Sequence, residues 1–223
     1  MKKLIAILLA GLIALSSLSA LSVLKTSKDL PNAINVGLYA QTTSRVLKQS
    51  DNKGYNVTLT GFSLTFQKNL LGDFGLSGEL GLSFGLAGKI DGETFPTRKI
   101  TDITDYNASF AITYIPYVGG DVYLYFAAHL TWNTTPLQTA KKTGWDRTTF
   151  HSLSGGCSAG FLTRGKNDLS DVHLSLAVSY DWALTSFRTT RHKEGKKTSF
   201  PDGGWIDASG RRFSLSAGVI FHV

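Results

Sequence analysis

The clearest pattern in the chain lies between Phe74 and Ile90, where large apolar residues alternate with small ones. From Phe74 to Leu86 every second residue is large and apolar except Gly78, and the residues between are Gly, Ser or Ala except Glu79. Successive side chains of a β-strand point to opposite faces, whereas a helix would scatter these leucines around its axis. At about 3.3 Å per residue, this strand is long enough to cross a bilayer at a tilt.

The small residues on the second face indicate what each face contacts. A strand with one face in water usually carries Lys, Glu or Thr on that face, and here the residues are mostly Gly, Ser and Ala. We therefore interpret the Leu/Phe face as lipid-facing and the small face as the lining of a narrow barrel.

Seven further segments show the same alternation. They cover residues 34–44, 55–66, 106–114, 122–132, 151–161, 172–184 and 213–223. From the second strand onward the connections alternate short and long, as in up-and-down outer-membrane barrels with short periplasmic turns and longer external loops. The predicted fold class is an all-β, eight-stranded antiparallel up-and-down transmembrane β-barrel. Within 55–66 the apolar residues change phase beside Gly61, which predicts a β-bulge there.

The distribution of basic residues agrees with a membrane barrel. The net charge is +7, yet none of the eight predicted strands contains Lys or Arg when Lys89 is assigned to the following loop. A cation that faces lipid at the middle of a barrel costs about 2–4 kcal/mol, so exclusion is expected. The alternative is a soluble β-sandwich or lipocalin-like barrel, which would carry Lys and Glu along its water-facing strands.

The first 33 residues carry a different pattern. A basic start, an apolar run over 4–15 and small residues after it predict a secretory signal peptide over 1–22, cleaved near 19–22. Residues 23–33 are interpreted as an N-terminal linker and 34–223 as the barrel. An uncleaved membrane anchor is the alternative, because apolar residues continue to Leu24. Cys157 is the only cysteine, so no intrachain disulfide can form.

The last eight residues, 216–223, resemble the C-terminal assembly signal of bacterial outer-membrane proteins. Ser216, Gly218 and Phe221 match its pattern, while Val223 stands where an aromatic residue is usual. Together with the strand pattern, the chain resembles the small eight-stranded bacterial outer-membrane β-barrel proteins, the group that includes OmpW, OmpX and the OmpA membrane domain. The resemblance implies outer-membrane localisation, extracellular long loops and periplasmic termini. It also implies outer-membrane lipids and the assembly machinery as partners.

Polar and titratable residues on the small face are candidates for a constriction in the barrel interior. The predicted set is Tyr39, Gln41, Glu79, Tyr123, Tyr125, His129 and Asp181. A titratable gate is one interpretation, and a hydrogen-bonded plug that satisfies its own polar groups is the other. Eight strands leave an interior just wide enough for side chains, and small residues under-fill it. The leading hypothesis is therefore a narrow passive channel for small solutes or ions.

The last long loop region is rich in basic residues. Its predicted patch is Arg188, Arg191, Lys193, Lys196 and Lys197. Such a patch attracts anionic groups at long range, which makes host molecules or glycans alternative ligands and surface adhesion the alternative function. Nucleic acid is not expected as a partner, because these charges would face outside the cell.

Catalysis is not expected from the sequence. His173 and Ser175 form a His-x-Ser pair of the kind that a lipid A-modifying barrel hydrolase needs. However, the pair faces the interior, a lipid substrate would arrive from outside, and no suitably placed acid is apparent. Interior histidines on different strands are weak evidence for zinc, so we expect no metal and no cofactor.

Overall fold

The computed structural model describes residues 34–48, 54–71, 73–90, 92–95, 100–141, 144–164, 172–192, 197–198 and 209–222. The predicted signal peptide, the linker up to residue 33 and Val223 lie outside this range. The strands are β1 (Ile34–Lys48), β2 (Gly54–Leu71), β3 (Phe74–Ile90), β4 (Glu93–Phe95), β5 (Ile100–Tyr114), β6 (Tyr117–Gly119), β7 (Val122–Lys141), β8 (Gly144–Arg164), β9 (Val172–His192), β10 (Lys197–Thr198) and β11 (Ser209–His222).

Eight of these strands close into a barrel. Each long strand pairs antiparallel with the next in the order β1, β2, β3, β5, β7, β8, β9, β11, and β11 pairs back onto β1. The short strands β4, β6 and β10 extend hairpins at the barrel ends. The predicted fold class, an eight-stranded antiparallel up-and-down barrel, is confirmed.

A belt of bulky apolar side chains surrounds the barrel. Leu80 and Leu174 are each 58% exposed, and Phe110 is 55% exposed. Their neighbours of opposite phase, such as Ser77 and Ser175, are buried inside. This matches the predicted arrangement, with large residues outward and small ones inward. Within the described residues, no helix is long and apolar enough to cross a membrane.

The strands are longer than predicted on the side where the polar connections lie. The sequence pattern leaves a long connection, over residues 133–147, between the strands predicted at 122–132 and 151–161. Most of it is strand, because β7 extends to Lys141 and β8 begins at Gly144. The prediction that strands exclude basic residues is consequently wrong. The barrel strands contain Arg45, Lys48, Lys68, Lys89, Lys141, Arg147, Arg164, Arg188, Arg191, Arg211 and Arg212. Backbone pairing continues beyond the apolar belt, so apolar alternation marks the belt and not the strand ends.

The predicted bulge beside Gly61 is displaced. The β2 side chains keep alternating through Gly61, with Tyr55, Val57 and Leu59 inward and Phe62 outward. The apolar residues of β2 change from inward to outward because the barrel interior is itself apolar at one end. This is the end where β1 finishes and β2 begins, and we call it the region above the belt. The register shift nearest to Gly61 lies between Thr58 and Leu59, and its extra residue is on β3.

This apolar interior forms a compact group of side chains, which we call the apolar plug. Its members are Tyr55, Val57, Leu59, Ile90, Ile103, Leu137 and Phe150. Phe150 is 0% exposed, and its ring lies 4.6 Å from that of Tyr55 in an edge-on arrangement. Burial above the belt raises the pKa of Tyr55 to about 12, because the phenolate would lose its hydration.

Aromatic residues line the upper edge of the belt. Tyr106, Trp132, Trp182 and Phe213 are exposed on the outer surface, as expected for an interfacial girdle. Tyr55 is also aromatic and lies near the same end of the barrel, but it belongs to the apolar plug inside.

Candidate functional site

The barrel encloses a polar cavity of about 70 Å³, which is large enough for several water molecules. All eight barrel strands contribute to its wall, and most of the lining side chains carry hydroxyl groups. These are Tyr39, Ser63, Thr65, Ser77, Ser109, Tyr125, Thr131, Ser158, Ser175, Ser179, Ser214 and Ser216. The small face predicted from the sequence therefore surrounds a hydroxyl-rich interior that suits water.

Five of the seven predicted constriction residues line this cavity. They are Tyr39, Gln41, Glu79, Tyr125 and His129. Glu79 accepts a hydrogen bond of 3.1 Å from the Asn107 amide, and Gln41 donates one of 3.2 Å to Ser83.

The other two predicted residues lie close to the cavity without lining it. Asp181 is 1% exposed and contacts His129. Tyr123 lies nearer the β6 end of β7, where its ring packs 5.2 Å from Tyr117 and 5.7 Å from His173.

Tyr39 is held against the wall by two glycines. A Cβ atom at Gly218 would lie 2.5 Å from Tyr39 Cδ1, and one at Gly37 would lie 2.6 Å from Cε2. Only glycine leaves room for the ring at these positions. In this chain, the Gly218 of the predicted assembly pattern thus also positions an interior tyrosine.

The strongest polar cluster in the interior was not predicted from the sequence. The Arg45 guanidinium donates to Asp105 Oδ1 at 2.5 Å and to Thr135 Oγ1 at 2.7 Å, and it also donates to Ser152. Thr135 donates to the same carboxylate. We call these four residues the Arg45 cluster; they bridge β1, β5, β7 and β8 across the lumen.

The Arg45 cluster and the apolar plug lie against each other. The Arg45 guanidinium carbon is 5.2 Å from the centre of the Tyr55 ring, and Tyr55 in turn contacts Phe150. Arginine over an aromatic face is attracted by the ring quadrupole. Charged and apolar groups together fill the barrel interior at the end where the long polar connections lie.

Solved structures with the same architecture are outer-membrane proteins. The outer membrane protein OprG of Pseudomonas aeruginosa is 14% identical, with a TM-score of 0.56 over 86% of this chain and 96% of that one. A major outer membrane protein of Thermus thermophilus is 13% identical, with a TM-score of 0.54 over 86% and 100%. Neisserial surface protein A is 14% identical, with a TM-score of 0.53 over 84% and 96%. The chain has the fold of the small eight-stranded outer-membrane β-barrels.

Comparison of the sequence itself adds nothing to this assignment. No protein-family model matches the chain. No curated protein matches it either.

A second interior cluster of this outer-membrane barrel joins β7, β8 and β9. His129 Nε2 lies 2.6 Å from Asp181 Oδ1, and Ser158 Oγ lies 3.3 Å from His129 Nδ1. Gly156 sits between His129 and Asp181 in the strand register, where a Cβ atom would lie 2.5 Å from Asp181 Oδ1 and 2.8 Å from His129 Nε2. A glycine at 156 therefore lets the two side chains meet across β8.

The His173 and Ser175 side chains each contact a tyrosine. Ser175 hydrogen-bonds the Tyr39 side chain, and His173 packs against the Tyr123 ring. Among the described residues, no three His, Cys, Asp or Glu side chains are grouped as a metal site requires. The expectation of no catalysis stays a prediction.

Only part of the predicted basic patch can be placed on the barrel. Arg188 and Arg191 belong to β9, and Lys197 of β10 pairs with Arg191 in the backbone register. Lys193 and Lys196 lie outside the described residues. Ser216, Gly218 and Phe221 of the predicted assembly signal belong to β11, opposite Gln41, Tyr39 and Val36 of β1.

Proposed function

We propose that this chain is an outer-membrane protein with a narrow, gated passive path for small solutes or ions through its barrel. The observation that carries the proposal is the polar cavity inside the belt, with a wall formed by all eight strands. A membrane barrel that only needed stability could fill this space with apolar side chains, and this one surrounds it with hydroxyls. The substrates are accordingly small and polar.

The proposal includes an orientation. In outer-membrane barrels the short turns face the periplasm and the extended ends face outward. Here the strands continue past the belt at the ends of β1, β3, β7 and β9, so this end is extracellular and both termini of the barrel are periplasmic. The Arg45 cluster and the apolar plug then close the outer mouth.

The path is gated because ions would have to cross a desolvated segment. Phe150 and Leu59 are 0% exposed, and Val57 and Ile103 are 1% exposed. An apolar constriction of this kind blocks ions by excluding water. Conduction therefore requires that the apolar plug moves or opens transiently.

Removal of one side chain of the apolar plug tests this function. We expect Phe150→Ala to raise the single-channel conductance of the refolded protein in planar bilayers several-fold. It should also speed the swelling of liposomes in small sugars and amino acids. The physical reason is that the lost ring leaves a route for water between the cavity and the outer mouth.

The matched control is Phe161→Ala, which removes the same ring from the lipid-facing side of the same strand. It should conduct like the unmodified protein. If Phe150→Ala gives the same traces as Phe161→Ala, and swelling never exceeds that of empty liposomes, the channel proposal fails.

Surface adhesion is the second candidate function. Its support is the pairing of β10 with β9, which places Arg191 and Lys197 opposite each other above the belt. Exchange of residues 188–208 for a neutral loop separates the two functions. Binding to host surfaces or anionic glycans should follow the exchanged loop, whereas solute flux should follow the lumen.

A further inference from the structure

The cluster of Ser158, His129 and Asp181 has the connectivity of a catalytic triad. One imidazole nitrogen of His129 contacts the Asp181 carboxylate at 2.6 Å, and the other lies 3.3 Å from the Ser158 hydroxyl. Ser158 and His129 both line the polar cavity, while Asp181 lies behind them. We propose that Ser158 is an activated nucleophile that accepts acyl groups from small esters inside the lumen. This chemistry would reverse the expectation, drawn from His173 and Ser175, that the interior is not catalytic.

The hydrogen-bond roles of the three residues are mutually consistent. An Asp carboxylate only accepts hydrogen bonds, so Nε2 of His129 carries the proton and donates to Asp181. Nδ1 then has a free lone pair, and the Ser158 hydroxyl donates to it. The two imidazole nitrogens are exchanged relative to the Ser-His-Asp triad of serine proteases, where the carboxylate meets Nδ1 and the serine meets Nε2. The roles are the same: the histidine acts as general base, and the buried carboxylate fixes its tautomer.

The local backbone is shaped to allow this contact. His129, Gly156 and Asp181 occupy one row across β7, β8 and β9, and Ser158 is two residues from Gly156 on the same strand face. Any side chain at 156 would stand between the imidazole and the carboxylate.

Stabilisation of an oxyanion must come from side chains in this barrel. The backbone N–H groups of a closed barrel are engaged between strands, so they cannot form an oxyanion hole. Arg212 lines the same cavity, is 7% exposed, and its Nε has no hydrogen-bond partner among the described residues. A guanidinium facing a confined polar cavity is suited to stabilise negative charge that develops on a carbonyl oxygen.

The reaction balances without any further reactant except water. Ser158 Oγ bonds to the ester carbonyl carbon, its proton passes to Nδ1 of His129, and the bond to the alcohol oxygen breaks. The alcohol leaves with that proton. Water then attacks the acyl-serine with His129 again as base, which releases the carboxylic acid and restores the serine. The cavity of about 70 Å³ restricts the acyl group to a short one.

A small sulfonyl fluoride tests the nucleophile directly in the refolded full barrel. Methanesulfonyl fluoride should form a bond between Ser158 Oγ and sulfur, with fluoride leaving and the proton passing to His129. Peptide mass spectrometry should find one methanesulfonyl group on Ser158. Loss of the general base in His129→Gln should slow labelling on the order of 100-fold.

Four further variants test the activation of Ser158. Gly156→Ala keeps all three side chains, but its Cβ would lie 2.5 Å from both Asp181 Oδ1 and the Tyr180 carbonyl oxygen and 2.8 Å from His129 Nε2, so it should slow labelling. Gly155→Ala should not, because its Cβ meets only Leu side chains at 3.5 Å or more. Ser158→Ala should abolish labelling and the hydrolysis of p-nitrophenyl acetate. Ser154→Ala, which removes a buried hydroxyl of the same strand that is not among the residues lining the cavity, should leave both rates unchanged.

The proposal is overturned if Ser158 is not labelled, if Ser179 is labelled as fast as Ser158, or if His129→Gln reacts at the unmodified rate. These outcomes are independent of channel function, because conductance through the lumen does not require a reactive serine.

Discussion

Arg45→Met should lower the free energy of unfolding by about 3–5 kcal/mol, because it leaves the Asp105 carboxylate buried without its counter-charge. Arg45 and Asp105 are both inside the barrel, at 3% and 1% exposure. The loss should appear as a lower midpoint in urea unfolding of the protein refolded into lipid vesicles, followed by tryptophan fluorescence.

A double variant and a surface variant identify the cause. Arg45→Met combined with Asp105→Leu removes both charges and should recover most of the loss, because apolar pairs often replace buried ion pairs without cost. Arg211→Met alters an exposed arginine and should change stability by about 0.5 kcal/mol or less. If Arg45→Met is as stable as Arg211→Met, the Arg45 cluster does not stabilise the barrel.

Leu80→Arg should destabilise the refolded barrel by about 2–4 kcal/mol and reduce its insertion into vesicles, because it places a cation in the hydrocarbon layer. Leu80 is among the most exposed apolar residues and lies in the middle of the belt part of β3. The same urea titration in vesicles measures the effect.

The control for this substitution is Ala87→Arg on the same strand. Ala87 is also exposed but lies above the belt, beside Lys89, where an added cation costs about 0–1 kcal/mol. Equal effects at the two positions would mean that Leu80 does not face lipid.

The fold was predictable from the sequence because a period of two residues survives wherever one face meets lipid. Outward residues such as Leu80 and Phe110 alternate with small inward residues, and the structure keeps this alternation. The strand ends were not predictable in this way. Beyond the belt the outer face of a strand no longer meets lipid, and the inner face meets either the apolar plug or the Arg45 cluster. Pairing therefore continues through Arg147 and Arg188 without one regular apolar face.

The Arg45 cluster was missed for the same reason. Arg45 lies one residue beyond the predicted first strand, and Asp105 was assigned to a loop, so neither was considered an interior residue. Continuing the alternation of Tyr39, Gln41 and Thr43 by one more step would have placed Arg45 inside. The Asp105 partner could not be found from the sequence, because it depends on the stagger between strands.

The predicted interior tyrosines and histidine show the same limit: alternation predicts which face a side chain lies on, but not which residues it contacts. Tyr39, Tyr125 and His129, which the alternation predicts to point inward, line the cavity. The alternation could not show that His129 meets Asp181 across Gly156, because this contact depends on which residues share a row in three strands.

The central claim is that bulky residues touch hydrocarbon while small and polar residues surround the lumen. Nuclear Overhauser contacts between side chains and lipid acyl chains in nanodiscs test it most directly. This orientation predicts strong acyl-chain contacts for Leu80, Leu130 and Leu176, with water contacts and no acyl-chain contacts for Thr131 and Ser175. Acyl-chain contacts to Thr131 and Ser175, with none to the leucines, would contradict the membrane orientation and the channel together.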